Sequence, residues 1–150
     1  MPAAAIRPAR PDEAARLAAI ARSAYERYIP RVGRAPAPMS ADYDAAIAAG
    51  HAVVIDHDGS IVGYLIGHVD GDSYFIENVA VDPDFQGRGF GGALLRHAIA
   101  EAKRSKLSAL RLFTNAAMTE NRALYAHLGF VETHRSVDQG YDRVYMRLSF

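Results

Sequence analysis

The sequence predicts an α/β fold in which a central mixed, mostly antiparallel sheet is flanked by helices. Three observations lead there. Ala52 to Asp56, Ile61 to Val69 and Tyr74 to Val81 are rich in β-branched and aromatic residues, and the turns His57-Asp58-Gly59 and Asp70-Gly71-Asp72 separate them as in an antiparallel meander. Ahead of them, Leu17, Ile20, Ala21, Ala24, Tyr25 and Tyr28 recur at spacings of three and four, the period of an amphipathic helix. After them a helix and then another strand follow, a crossover that makes part of the sheet parallel.

Taken in order, a short strand through Ile6 precedes the first helix, which begins near Asp12. Pro30, Pro36 and Pro38 remove amide donors and forbid a regular helix between them, so that stretch reads as a loop. Ser40 is placed to cap a short helix from Ala41 to Ala49, and Gly50 can take the left-handed conformation that ends it. Beyond the meander, Ala93, Leu94, Leu95, Ala98, Ile99 and Ala102 form a helix face that must cover the sheet. Ala109 to Thr114 is a strand parallel to Tyr74 to Val81. A helix from Thr119 or Glu120 to Leu128 ends at Gly129, and Phe130 to Arg135 with Tyr141 to Leu148 closes as a hairpin.

At 150 residues the chain suits one domain spanning 1–150. It has no cysteine, which excludes disulfides, thiolate metal sites and a cysteinyl acyl intermediate and fits a reducing compartment. Met1-Pro2-Ala3-Ala4-Ala5 lacks the basic and apolar stretches of a signal peptide, and no segment approaches the ~18 apolar residues of a membrane span. A cytoplasmic protein is therefore expected. Basic and acidic residues number 17 each, so no net charge marks a nucleic-acid or anionic-membrane surface. The six histidines lie far apart, without the close pairing of zinc motifs, and no metal is expected.

The run Gln86-Gly87-Arg88-Gly89-Phe90-Gly91-Gly92 points most directly to function. Four glycines let the backbone approach a ligand and turn its amides inward, and the following helix adds the positive end of its dipole. This is the chemistry of a phosphate cradle. Gly87, Gly89 and Gly92 also satisfy G-x-G-x-x-G, but Asp82 to Gln86 separate them from the strand, and no carboxylate stands at Leu110-Arg111-Leu112-Phe113, where a ribose partner would fall. A P-loop is excluded because no Lys-Ser or Lys-Thr follows.

Gln86, Gly89 and Gly91 instead match Gln-x-x-Gly-x-Gly, which resembles the pyrophosphate-binding motif of the GCN5-related N-acetyltransferases (GNAT). A second stretch, with Asn121, Ala123, Leu124, Tyr125, Gly129 and Phe130, is similar to that family's Asn-x-x-Ala-x-x-Leu-Tyr-x-x-x-Gly-Phe segment. The likeness extends from an Ile-Arg-Pro-Ala opening at Ile6 to Ala9 through the C-terminal strands. It implies an acetyl-coenzyme A-dependent acyltransferase in which the parallel strands splay and the pantetheine arm follows Val79, Ala80 and Val81. The diphosphate would rest on Gln86 to Gly92, with Arg88 as a phosphate partner and Asn121 either capping its helix or bonding the coenzyme.

Moving an acetyl group from a thioester to an amine requires the amine to lose a proton and the leaving thiolate to gain one. Glu77 is the candidate base; in a regular strand it shares a face with Phe75, Val79 and Val81, where a carboxylate is costly without a cleft or partner. A solvent-facing Glu77, or one flipped by a bulge, is the alternative, and Asn78 on the opposite face is its substitute. By the resemblance Tyr125 protonates the thiolate; otherwise it is an aromatic packed on the sheet. Tyr25, Tyr28, Arg34 and Asp42 come from the region that forms the acceptor side in the resembled family. They suit a small amine, a peptide N-terminus or a lysine equally. A coenzyme A-binding sensor, and an interaction module that dimerises through the sheet edge near Tyr141 to Phe150, are the competing functions.

Overall fold

The computed structural model describes residues 4–150, so the reading of Met1 to Ala3 as free of a leader lies outside the described residues. Strand β1 (Ala4–Pro8) leads through a 3-10 turn into α1 (Ala14–Tyr25), the short α2 (Ile29–Val32) and α3 (Tyr43–Ala48). The meander β2 (Ala52–His57), β3 (Ser60–Asp70) and β4 (Ser73–Val81) follows. Then come α4 (Phe90–Arg104), β5 (Ala109–Asn115), α5 (Thr119–His127), β6 (Val131–Asp138) and β7 (Tyr141–Ser149). The sheet runs β1-β2-β3-β4-β5-β7-β6, antiparallel at every pairing but β4 with β5.

Each face of the sheet buries one apolar cluster. The periodic residues of α1, namely Leu17, Ile20, Ala21, Ala24 and Tyr25, pack with Tyr43 and Ile47 of α3 on Val54, Tyr64, Ile66 and Ala80. On the other face Leu94, Leu95, Ala98 and Ala102 of α4 meet Val62, Leu65, Ile76, Leu110 and Leu112, and Tyr125 and Phe130 extend this layer. Asp58 and Gly59 both have positive φ and close the β2–β3 hairpin in two residues; Gln139 and Gly140 do the same for β6–β7.

Four local expectations are corrected. Pro30 sits in the first turn of α2, where its missing amide costs nothing, so a short helix survives between the prolines. Asp42 rather than Ser40 caps α3, its carboxylate accepting from the Ala45 amide at 3.0 Å, and the helix begins at Tyr43. Helix α4 begins at Phe90, so Gly91 and Gly92 lie inside its first turn. The free edge near the C-terminus is β6, because β7 inserts between β5 and β6; Tyr141 to Phe150 is not a sheet edge.

The feature that shapes the site is an irregularity in β4. Ile66 pairs with Asn78 but Gly67 pairs with Ile76, leaving Glu77 as an extra residue opposite no partner. The pairing of β4 with β5 stops at the same level, running only from Ser73–Ala109 to Ile76–Leu112, while both strands continue. The two parallel strands therefore diverge beyond Ile76. Gly67 is obligatory here, since a Cβ would lie 2.6 Å from the Tyr74 ring and 2.8 Å from the Phe75 carbonyl oxygen. Gly67→Ala is expected to destabilise the protein by about 1–3 kcal/mol, as overpacking against backbone does. Urea denaturation checks this, and an unchanged midpoint refutes it.

At the start of the fold, Arg7 donates to both carboxylate oxygens of Glu13 at 2.9 and 2.8 Å, and the Arg10 amide adds a bond of 2.7 Å. The Arg7 hydrogen bonds, opposed by burial, hold the Glu13 carboxyl at about 2, below its ordinary 4.5. A depressed carboxylate stabilises the fold fully above its unfolded value, and that stabilisation disappears as pH falls from about 4.5 through 2. Glu13→Gln should thus lower the urea midpoint at pH 7, with the gap to wild type narrowing steadily below pH 4.5. A gap independent of pH would contradict the pairing.

Candidate active site

Divergence of β4 from β5 opens two adjoining cavities. The first, of about 330 Å³, is bounded by Val79, Ala80 and Val81 of β4, by Gln86, Gly87, Gly89, Phe90, Gly91 and Gly92, and by Asn121 and Leu124 of α5. The second, of about 230 Å³, is bounded by Glu77, Asn78 and Phe113 of the diverging strands, by the 36–42 segment, and by Tyr141 and Arg143 of β7. Tyr25, Val79, Asn121 and Tyr125 border both.

The first cavity has the construction of an anion cradle. Gly87 and Gly89 take φ of 81° and 85°, the left-handed region open to glycine at little cost, and Gly89 caps α4. Ala93 is the first residue whose amide bonds back into the helix, to the Gly89 carbonyl at 3.0 Å. The amides of Phe90, Gly91 and Gly92 precede it, as the open end of the α4 dipole. Glycine inside a helix costs roughly 1 kcal/mol relative to alanine. At Gly91 the smallness keeps the floor low beside Val81 and Leu124; at Gly92 a Cβ would stand 3.1 Å from the Arg96 guanidinium, which lies against this turn. Arg88 does not border the cavity; its guanidinium lies 5.2 Å over the ring of Phe85, which does. Arg27 does border it, a cation that no motif marked.

The wall formed by β4 is ready to pair. The Val79 carbonyl accepts from the Tyr25 hydroxyl at 2.8 Å and the Val81 carbonyl from Gln86 Nε2 at 3.1 Å, whereas the Asp82 amide turns the other way to Val62 at 2.8 Å. In a pleated strand the amide of a residue points to the same side as its carbonyl. The Val79 and Val81 amides therefore face the gap between the strands.

Glu77 borders the second cavity with its side chain 45% exposed, and its Oε1 lies 3.3 Å from His68 Nδ1. The bulge changes the expected face: Val79 and Val81 pack with α4, while Glu77 is left in the cavity opposite. It also brings Asn78 to the α1 side, where Asn78 Oδ1 accepts from Tyr25 at 3.1 Å and Nδ2 donates to the Tyr43 hydroxyl at 2.8 Å. Asn78 thus holds β4 against α1 and α3 while it borders the second cavity. Tyr43 and Tyr64 complete that network at 2.8 Å.

Tyr125 is buried at the junction, edge-on to Phe130 at 5.8 Å between ring centres. Burial, reinforced by Tyr28, pushes its phenol well above the ordinary range, so it keeps its proton at neutral pH. Asn121 does not cap α5, since the helix begins two residues earlier at Thr119; its amide contacts Met118 Sδ at 3.8 Å and it borders both cavities.

The four acceptor-side candidates separate. Tyr25 ties α1 to β4, and Asp42 caps α3 while bordering the second cavity. Tyr28 borders the first cavity instead, its hydroxyl 3.3 Å from Glu120, because α1 ends in a 3-10 turn that swings it toward α5. Arg34 borders neither cavity: it donates to the Gln139 carbonyl and lies 3.6 Å over the Tyr141 ring, whose hydroxyl donates to the Ala35 carbonyl at 2.7 Å. These contacts fasten the proline-rich segment to the β6–β7 turn above the second cavity. Phe113, Tyr141 and Arg143 were not legible as site residues; only the Gln139-Gly140 pair hinted at the turn that brings Tyr141 there. Among the described residues no group of three or more His, Cys, Asp or Glu could hold a metal ion.

Comparison with known proteins agrees with this geometry. The chain is 37% identical over 78 residues to the ribosomal protein bS18-alanine N-acetyltransferase of Escherichia coli, covering 52% of this chain and 53% of that one. It is 40% identical over 75 residues to the Salmonella typhimurium enzyme of that name, covering 50% and 51%. The chain spans about half the length of the curated relatives it matches. In fold it is similar to the PaiA N-acetyltransferase of Thermoplasma acidophilum, crystallised with coenzyme A, with TM-score 0.82, 15% identity and 99% of each chain covered. The Escherichia coli bS18-alanine enzyme superposes with TM-score 0.76 at 23% identity, covering 98% of this chain and 94% of that one. Since a model of the acetyltransferase (GNAT) family matches residues 16–130, from α1 to the residue after α5's terminal glycine, the chain belongs to that family.

Proposed function

We propose that the chain is an acetyl-coenzyme A-dependent N-acetyltransferase. It transfers the acetyl group to a primary amine of a small molecule, or of a peptide or protein, by direct attack within a ternary complex. The observation that carries this reading is the junction at Tyr25, Val79, Asn121 and Tyr125, where a glycine-lined cavity meets one bearing a carboxylate. Acetyl-coenzyme A, as cosubstrate, supplies the thioester. The first-turn amides of α4 with Gln86 to Gly92 hold its diphosphate, and the Val79 and Val81 amides hold the pantetheine arm along β4 beside Ala80 and Asn121.

Glu77 takes the proton that an alkyl amine, titrating near 10, carries at neutral pH. One of the inward amides of β4 polarises the thioester oxygen. Tyr125 gives its proton to the departing sulfur as the C–S bond breaks, and the phenolate, which burial disfavours, is reprotonated from solvent. No metal is invoked, and residues 1–150 act as one transferase unit. The acceptor enters past Asp42, Tyr141 and Arg143.

Residence in the cytoplasm and a homodimer belong to the same proposal, the dimer resting on β6, an edge strand that exposes Val131 and Val137. Light scattering that finds a monomer removes the dimer. The activity is tested by thiol release from acetyl-coenzyme A with a panel of acceptors: an alanine-initiated peptide, as the bS18-alanine relatives suggest, a lysine peptide and small primary amines. Turnover with one of them is expected. Tight coenzyme binding without turnover by any would favour the sensor.

A further inference from the structure

Among the described residues two buried side-chain nitrogens lack a hydrogen-bond partner, and one of them, His68 Nδ1, lies beside the proposed base. Glu77 Oε1 is only 3.3 Å away, but the two are not aligned as donor and acceptor. A buried polar atom left unpaired costs about 1–3 kcal/mol, so its persistence needs a reason. If Nε2 carries the ring proton, Nδ1 presents a lone pair to a carboxylate that has no proton to share. Once Glu77 has accepted the proton of the acceptor amine, a small shift of its half-exposed side chain brings the new hydroxyl, 3.3 Å away, into line with that lone pair.

We propose that His68 relays this proton from Glu77 to solvent; the inference rests on the role of Glu77 given above. Glu77 is itself 45% exposed, and an acceptor bound in the cavity it borders would cover that exposure. His68 lies outside that cavity lining with its side chain 32% exposed, which leaves a second route open. The steps balance. The amine nitrogen loses a proton to Glu77, the Glu77 hydroxyl passes it to His68 Nδ1, and the resulting imidazolium releases the Nε2 proton to water, restoring neutral His68 and ionised Glu77.

The surroundings hold the ring in place without competing for Nδ1. His51, from the α3–β2 connection, stacks on His68 with ring centres 5.3 Å apart, and the His51 carbonyl is held by the Gly67 amide at 3.0 Å. Phe75, its partner across β4, packs at 5.8 Å. The neighbouring charges, Arg111 and Asp70, satisfy each other at 2.6 Å.

The test compares wild type, His68→Ala, His68→Gln and Glu77→Gln, using the fastest amine of the panel above. His68→Ala should lower kcat by about 10–100-fold, within the range of general acid–base effects, and leave KM for acetyl-coenzyme A within about twofold. Added imidazole should restore much of the lost rate. His68→Gln, which keeps bulk and a polar tip but cannot carry the proton, should stay slow. Wild-type kcat in either His68 variant, or a slow His68→Ala that imidazole does not rescue, overturns the relay. If Glu77→Gln is slow while His68→Ala is not, the relay alone falls; if Glu77→Gln is as fast as wild type, the base assignment falls and takes the relay with it.

Discussion

Gly89→Asp should weaken acetyl-coenzyme A binding by at least about 100-fold while leaving the fold intact. Gly89 has a φ of 85° with no atom within 4 Å of the position a Cβ would take, so a side chain there meets open space. Any side chain is strained at this φ, but aspartate and asparagine enter the left-handed region more readily than other residues, and the two variants share that strain. Placed at the cap of α4, the new carboxylate lies beside the amides of Phe90, Gly91 and Gly92 and competes for them. Its repulsion of a diphosphate is worth up to ~4 kcal/mol for unit charges at 4 Å in a surface-like dielectric, more than the ~2.7 kcal/mol that a 100-fold loss represents. Gly89→Asn separates shape from charge and should lose only about tenfold. Calorimetric titration of both variants decides the matter. Equal affinities for Asp and Asn would show that charge is irrelevant, and unaltered binding by Asp would remove the diphosphate from this loop.

Tyr125→Phe should lower kcat by about 100-fold and leave coenzyme affinity and stability nearly unchanged. The ring is buried against Phe130, and phenylalanine preserves that contact, so the hydroxyl alone is lost. On the role proposed for Tyr125, the reaction then lacks its proton donor at the point where the two cavities meet. Thiol-release kinetics together with calorimetry separate the outcomes. A loss of affinity at unchanged kcat would mean that the hydroxyl holds the coenzyme and donates nothing.

Much of this molecule was legible before folding because the signals are local. The α1 stripe from Leu17 to Tyr25, the three meander strands and the Asp58-Gly59 turn follow from side-chain period and from the backbone freedom of single residues. The glycine run was readable for the same reason: its left-handed positions are properties of single residues, although the helix begins at Phe90, within the run and ahead of the expected Ala93. All of the proposed coenzyme contacts but Arg88 border one cavity, because all but Asn121 fall in two short segments, the end of β4 and the run into the start of α4, and Asn121 comes from the first turn of the neighbouring α5.

The acceptor side was read less well. Tyr28 and Arg34 were grouped with it from their place in the chain, yet the 3-10 turn after α1 places Tyr28 at the glycine-lined cavity, and Arg34 stacks on Tyr141 and borders neither cavity. Asn78 was assigned a face by strict alternation, which a single extra residue undoes.

By itself the sequence determined the order and kind of the elements, the short α2 apart, and the glycine run that opens α4, since these depend on contacts between near neighbours along the chain. Only the tertiary structure decided that Glu77 is the unpaired residue of a bulge, that β4 and β5 part beyond Ile76, and that His68 stands beside the carboxylate. The reason is that register across strands is chosen collectively: the Gly67–Tyr74 contact and the Tyr25, Tyr43 and Asn78 network become favourable together, and no stretch of sequence holds all of their partners.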